Sequence, residues 1–430
     1  MGYMDDLNVL DRFDVNAKER YILVGVSTRD TEETEDSLRE LGELIDTAGG
    51  EVLDYVVQNL RNPEPGTYIG KGKVEELREM VEELEATGIV CDDELSPAQI
   101  RNLSDMLDCK VIDRTILILD IFAAHATTSE GKLQVEMAQL KYRSSRLMGM
   151  GRAMSRLGGG IGTRGPGESK LETDRRLIQK RIGALKSDIE AMQKIRETTR
   201  KKRESNDIPV VAIVGYTNAG KSTLLNSLTD ANILAQDKLF ATLDPTTRKC
   251  KLPSGEEILL TDTVGFINKL PHNLIDAFKS TLEEAAHADL ILHVADSSDK
   301  NVDMHIDVVY KTLHDLKITG KPVITAFNKI DKVTDAHSLV DEKAEKVVRM
   351  SVKTGEGVDK LLETIQEELN SMRVLVDCVL PYDRTKDAEI IRKGGQLISM
   401  EYEGDGIHVK AYIPKSLGQR LGLIKVEEEY

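Results

Sequence analysis

The stretch Gly215-Tyr-Thr-Asn218-Ala219-Gly220-Lys221-Ser222 sets two glycines five residues apart and follows the second with an ammonium and a hydroxyl. Glycines at those places let backbone N–H groups wrap phosphate oxygens. Lys221 then reaches the β and γ phosphates, and the Ser222 hydroxyl binds Mg²⁺. Such a loop carries that meaning only between a strand and a helix. Pro209-Val-Val-Ala-Ile-Val214 supplies an apolar run suited to a buried parallel strand, and Thr223-Leu-Leu-Asn-Ser-Leu228 continues as a helix.

Four more stretches follow in the order that GTPases use. Leu259-Leu-Thr-Asp262-Thr-Val-Gly265-Phe266 is an apolar strand ending in Asp-x-x-Gly. There Asp262 holds Mg²⁺ through water and the Gly265 N–H senses the γ phosphate. Phe240-Ala-Thr242-Leu-Asp-Pro-Thr-Thr247 occupies the place of a first switch, whose threonine ligates Mg²⁺ only when the γ phosphate is present. Val323-Ile-Thr-Ala-Phe327 runs into Asn328-Lys329-Ile-Asp331, where an Asp carboxylate accepts two hydrogen bonds from the guanine edge, a pairing that adenine cannot offer. Ser351-Val352-Lys353 matches a loop backing the base. This order and spacing make GTP and GDP the expected ligands and GTP hydrolysis the expected reaction. Lys221, Thr242 and Gly265 would carry catalysis, and Ser222, Thr242 and Asp262 the metal.

These motifs need a rigid α/β frame, and the chain supplies more than one. Its 430 residues exceed a single core at roughly 100 to 200 residues per domain. Short apolar runs at 21–26, 52–57, 88–91 and 110–112 predict strands, with helices near 34–47, 71–86 and 96–107, a small α/β domain with a mostly parallel sheet. Within it, Gly66-Thr-Tyr-Ile-Gly70-Lys71-Gly72-Lys73 departs from a phosphate loop. Only three residues separate Gly66 from Gly70 and no hydroxyl follows Lys71, so it reads as a strand-to-helix turn first and a ligand loop second.

From Glu130 the pattern changes to long helices. Leu133, Met137, Leu140, Ser144 and Leu147 step by 4, 3, 4, 3, as do Ile178, Ile182, Leu185, Ile189 and Met192, which predicts an antiparallel coiled-coil hairpin. Between them, Gly149 to Gly167 holds eight of the chain's 32 glycines together with Arg152, Arg156 and Arg164. A corner of helix needs only about 2 to 8 residues. Glycine backbone that allows close approach, here including Gly159 and Gly160, with guanidiniums to grip phosphates, describes a tip made for RNA; a flexible linker is the alternative. Residues 374–430 offer strands at 374–379, 396–402 and 407–412 around a helix at 383–392, a small α+β appendage. The expected boundaries are 1–127, 128–206, 207–373 and 374–430.

The net charge of −16 hides a local reversal. From Gly131 to Glu204 there are 19 Lys and Arg against 8 Asp and Glu, a net of +11, which leaves −27 elsewhere. Charge alone allows a polyanion partner for that piece or a merely solvated helical face. No run of about 18 apolar residues and no signal peptide is present, so a cytoplasmic location without stable membrane association is expected; the expected state is a monomer. Cys91, Cys109, Cys250 and Cys378 fit neither a disulfide framework nor metal-ligand spacing and read as core or strand residues.

With these stretches in view, the chain resembles the HflX family of translational GTPases, within the larger Obg-like group. The resemblance rests on Gly66 to Lys73, on Gly158-Gly-Gly-Ile-Gly-Thr-Arg-Gly-Pro-Gly-Glu168 and on Asp262-Thr-Val-Gly-Phe266. It implies binding of the large ribosomal subunit and its rRNA, insertion of the hairpin tip toward the peptidyl-transferase centre, and GTP-dependent separation of ribosomal subunits under stress. By position it marks Thr242 as the Mg²⁺ threonine before Thr246 or Thr247. Asn218 matches the asparagine that in potassium-dependent relatives helps place K⁺, with a loop-structuring role as the alternative. Phe266 stands where Ras-type enzymes place a water-orienting glutamine. The C-terminal piece departs from the family in length and detail. A GTP-regulated switch whose hairpin binds a protein partner is the competing reading.

Overall fold

The computed structural model describes residues 18–28, 30–157, 166–204, 208–229, 239–240, 245–269, 284–334 and 339–424. The chain divides into two compact units, Met1–Ser187 with Asn268–Ala277, and Asp188–Ile267 with Phe278–Tyr430.

In the first unit β1 (Arg20–Ser27), β2 (Glu51–Asn59), β3 (Gly88–Cys91) and β4 (Lys110–Asp113) form a parallel sheet in the order β2-β1-β3-β4. Tyr21 to Ser27 are buried without a break, the pattern of a central strand covered on both faces. The helices α1 (Thr31–Thr47), α2 (Lys71–Glu83) and α3 (Pro97–Leu107) lie within a few residues of expectation. α3 begins where Ser96 and Gln99 cap each other's backbone and Pro97 takes the first turn. Gly66 to Lys73 is a turn into α2, with Gly70 as the residue preceding the helix.

A fourth helix, α4 (Arg114–His125), was not legible. Leu117, Ile118, Leu119, Ile121 and Phe122 are all buried, so the helix shows no polar stripe that periodicity could detect. Asp113 starts it by accepting from Ile116 N at 3.0 Å.

Two long helices follow, α5 (Ser129–Leu157) and α6 (Pro166–Glu204). The glycine-rich stretch is therefore largely helical: α5 runs on to Leu157, and α6 resumes with Pro166 in its first turn, where a missing N–H costs nothing. Residues 158–165, including Gly159, Gly160 and Arg164, lie outside the described residues. Arg152 and Arg156 sit on helical backbone. The helices run antiparallel where they touch: Arg181 donates twice to the Glu136 carboxylate at 2.7 and 2.9 Å, and Gln179 donates to Ser144 Oγ at 3.1 Å. On α6 the expected seam holds its most buried residues, Leu185 and Ile189. On α5 the expected seam is buried at Ser144 but only half-buried at Leu133, Met137 and Leu140, and Val135, Ala138 and Tyr142 are buried beside it. The reason is a second client: α5 also packs on α3 and α4, and Tyr142 donates to Asp113 at 2.7 Å.

The second unit is built on a six-stranded sheet in the order β10-β9-β8-β5-β7-β6. Its strands are β5 (Val210–Gly215), β6 (Thr246–Lys251), β7 (Glu257–Asp262), β8 (Leu290–Asp296), β9 (Val323–Asn328) and β10 (Lys346–Arg349). Only β6, at the edge, is antiparallel to its neighbour. Helices α7 (Lys221–Leu228), α8 (Val302–Asp315) and α9 (Val358–Ser371) accompany the sheet. Its core joins Val211, Ile213, Leu260, Leu292, Val294 and Ile324 to Leu224, Leu225, Leu361 and Ile365. Residues Arg373–Leu380 (β11), Gln396–Glu403 (β12) and Gly406–Pro414 (β13) form an antiparallel sheet in the order β11-β13-β12, with α10 (Thr385–Gly394) and α11 (Lys415–Arg420). Among the described residues no helix is long and apolar enough to cross a membrane, and the four cysteines are free.

Candidate functional site

The carboxyl ends of β5, β7 and β9 carry the predicted motifs to one edge of the sheet. Open parallel sheets bind ligands there, where strand order reverses on either side of a central strand; here that strand is β5. The loop from Gly215 to Ser222 leaves β5 and enters α7, so the strand-loop-helix context is present.

The loop is held open by its neighbours. Gly220 has φ +95, and a Cβ there would meet Asn328 Nδ2 at 2.4 Å, so only glycine fits. Asn328 donates to the Ala219 carbonyl at 2.9 Å and accepts from Val352 N at 3.1 Å. Asn328 thus ties the phosphate loop to the Ser351-Val352-Lys353 loop. The Tyr216 ring stacks on His305 of α8 at 3.7 Å between centroids, bracing the loop from its other side.

Lys221 is buried, and its Nζ donates to the carbonyls of Gly215 at 3.1 Å and Tyr216 at 2.6 Å. Burial pushes the ammonium down to about 8, against a smaller upward pull from Asp262. A phosphate anion supplies the charge this ammonium lacks. The buried Thr217 hydroxyl finds no hydrogen-bond partner among the described residues, a donor suited to a phosphate oxygen.

The metal donors also meet. Ser222 Oγ donates to Asp262 Oδ2 at 2.7 Å. A hydroxyl and a carboxylate beside phosphate-binding N–H groups form the hard oxygen set that Mg²⁺ takes, so these residues fit that ion. Thr242 lies outside the described residues. Thr246 and Thr247 belong to β6, and Thr247 Oγ1 is bonded to Thr261 Oγ1 at 3.0 Å.

Gly265 sits hard against the loop: a Cβ there would come within 2.9 Å of Thr217 Cγ2 and 3.0 Å of Lys221 Nζ. Phe266 is buried, its N–H donating to Gly215 O at 3.0 Å while its carbonyl accepts from Thr217 N at 2.8 Å. The Asp-x-x-Gly segment and the phosphate loop are thus joined by backbone.

At the base end, the exposed carboxylate of Asp331 accepts from Ser351 Oγ at 2.6 Å, which holds its pKa below the ordinary value. Ser351 is fully buried and Lys353 is exposed. Lys329, at φ 63, donates to the Asn218 carbonyl at 2.9 Å and pairs with Asp296 at 2.7 Å. Asn218 is exposed with φ 59. Ser222 and Thr223 open α7, with Ser222 facing the site through its bond to Asp262.

Three participants went unnoticed in the sequence: Asp296, Thr217 and His305. Asp296 had a usable signal, since it ends an apolar strand just as Asp262 does. Thr217 and His305 had none, because one depends on loop curvature and the other on how α8 packs.

Three family descriptions match in tandem: "GTP-binding GTPase N-terminal" over residues 35–123, "GTP-binding GTPase Middle Region" over 125–203 and "50S ribosome-binding GTPase" over 210–329. The chain is 58% identical to the GTPase HflX of Lacrimispora saccharolytica, over 93% of this chain and 95% of that protein. It is 50% identical to the GTPase HflX of Caldanaerobacter subterraneus subsp. tengcongensis, over 94% and 93%. With the GTPase HflX of Escherichia coli the identity is 44%, over 84% and 85%. A likeness of this depth runs through the unit that carries the phosphate loop, the Asp-x-x-Gly segment and Asn328 to Asp331 and on through the N-terminal unit. This chain belongs to the HflX family of GTPases and hydrolyses GTP.

Proposed function

We propose that the protein binds the large ribosomal subunit, contacts its rRNA through the tip between α5 and α6, and uses GTP to separate or rescue ribosomes under stress. The observation that carries this reading is the pair of long antiparallel helices bearing a net of +11 in a chain that is −27 elsewhere. α6 alone spans 39 residues, about 58 Å at 1.5 Å per residue, a reach that a globular domain lacks. Arg152, Arg156 and Arg164 bind phosphates and stack on bases, while Gly159 and Gly160 allow close approach. The ribosome-binding description of the matched GTPase region points the same way.

In this reading residues 1–127 form the N-terminal α/β domain, 128–206 a coiled-coil hairpin, 207–373 the GTPase domain and 374–430 an α+β appendage. Ser222, Asp262 and, with GTP bound, Thr242 hold Mg²⁺, which neutralises charge on the phosphates. Lys221 and the loop N–H groups orient the γ phosphate, and Gly265 reads its presence. Asp331 and Lys329 hold the guanine, with Asn328 and Ser351 to Lys353 shaping its pocket. Asn218 places K⁺. The protein acts as a cytoplasmic monomer.

Sedimentation with separated ribosomal subunits tests the proposal. The expected result is cosedimentation with the large subunit that strengthens with a GTP analogue and is lost when residues 158–165 are deleted. Unchanged association of the deleted chain favours a protein-binding hairpin instead.

A further inference from the structure

Asp113 closes β4 and is shut away from solvent. A buried carboxylate costs free energy unless donors surround it, and here they come from two directions. Beside the sheet end, Leu95 N donates to Oδ2 and Ile116 N to Oδ1, each at 3.0 Å. The other donors belong to α5. The Tyr142 hydroxyl reaches both oxygens, at 2.9 and 2.7 Å, and Arg146 donates to Oδ2 at 2.8 Å. One turn apart on that helix, the two side chains support each other, with the Arg146 guanidinium 4.1 Å from the centre of the Tyr142 ring.

Two features set this contact apart from the apolar packing of α5 on α3 and α4. The first is direction. Apolar faces slide past each other at little cost, whereas a carboxylate fixed by two backbone N–H groups holds its partners at one angle. Burial pushes Asp113 up and Arg146 down, and their pairing opposes both shifts. The second is place. Tyr142 stands 15 residues before the end of α5 at Leu157, a lever of about 22 Å at 1.5 Å per residue. A tilt of about 10° at Tyr142 carries that end through about 4 Å, farther than a hydrogen bond reaches.

We propose that Asp113 is a positioning residue for the hairpin: through Tyr142 and Arg146 it fixes the angle at which α5 leaves the N-terminal sheet, and so aims the Arg152–Arg156 end of that helix at ribosomal RNA. The inference rests on the rRNA reading above and adds to it the group that holds the aim. A helix already held at its binding angle gives up less freedom on meeting RNA than one that swings, and binds more tightly for that reason.

Two measurements on the full chain test it. Spin labels on unnatural amino acids at positions 78 of α2 and 154 of α5, chosen because the native cysteines are free, report the angle by double electron–electron resonance. The wild type should give one narrow distance, and Asp113→Asn should broaden it by about 4 Å or more. Tyr142→Phe, which keeps the ring and every charge, should broaden it too and serves if Asp113→Asn fails to fold. An unbroadened distance in the folded variants overturns the proposal. Binding to the large ribosomal subunit is then read by sedimentation. Removing a carboxylate makes the chain less acidic, so charge alone would tighten its hold on a polyanion. The proposal requires the opposite sign: Asp113→Asn should bind about 10-fold more weakly, the scale of the preorganisation lost, and Tyr142→Phe should weaken in the same direction. Wild-type binding by a chain lacking residues 158–165 removes the rRNA reading and the proposal together, whereas loss on that deletion with none in Asp113→Asn and Tyr142→Phe removes the proposal alone.

Discussion

Ser351 donates its hydroxyl to Asp331 across 2.6 Å, so the carboxylate meant for the guanine edge is aimed before any base arrives. Replacing Asp331 by Asn swaps an acceptor for a donor. GTP should bind about 10- to 100-fold more weakly, the scale of hydrogen bonds to a charged group, and xanthosine triphosphate should gain by a similar factor. Competition binding with the two nucleotides reads both changes, and unaltered selectivity removes the guanine assignment.

Lys221 makes the site a proton acceptor in alkali. Its folded value of about 8 lies below the ordinary 10.5, so the unfolded chain holds more protons between those pH values and stability rises as pH climbs from 8 to 10.5. Bound phosphates raise the value again. Calorimetry in buffers of different ionisation enthalpy should show GDP binding taking up close to one proton near pH 9 and almost none near pH 6.5.

Phe266 is buried with its backbone committed to the phosphate loop, so it offers no group to orient water. Intrinsic hydrolysis should be slow. If Asn218 places a cation, turnover in K⁺ exceeds that in Na⁺, and Asn218→Ala erases the difference while leaving GDP affinity within a few-fold. Fast turnover that ignores the cation contradicts both ideas.

Arg114 binds Asp92, Glu40 and the Ser37 carbonyl from a fully buried position. Arg114→Ala takes from Asp92 its buried guanidinium and leaves it only Lys269 and the Ser37 hydroxyl, and breaking a buried pair in this way costs about 3 to 5 kcal/mol. Urea unfolding should show that loss, with little change in GDP affinity at the separate nucleotide site.

Counterion release ties affinity for a polyanion to the number of phosphates contacted. Removing Arg152, Arg156 and Arg164 together should flatten the salt dependence of ribosome binding by about 2 to 3 in log–log slope, leaving GTP hydrolysis by the free protein unchanged. An unaltered slope assigns the basic charge to solubility.

The nucleotide site was legible because its residues must follow a strand or precede a helix in fixed order, which local sequence records. The α5 seam was caught at Ser144 and missed at Val135, Ala138 and Tyr142, because periodicity counts apolar residues and cannot see Tyr142 seeking Asp113. α4 escaped because burial runs along most of its length and leaves no polar stripe. The pairing of Lys269 with Asp92 was invisible for a different reason: the two are 177 residues apart, and neither belongs to a motif.

β6 and β7 form a hairpin in which Thr246 lies opposite Asp262 and Lys251 opposite Glu257. The chain therefore enters β6 and leaves β7 at the same level, beside the metal donors, and turns at the far end through Ser254 and Gly255. Paired strands act as a ruler with both zero marks at the catalytic edge. Extra residues at the Ser254–Gly255 turn lengthen the far end alone, so an insertion there should cost the Ser254 N–H its bond to Gln366 but leave the metal donors in place, whereas a single residue added within either strand offsets one switch against the other.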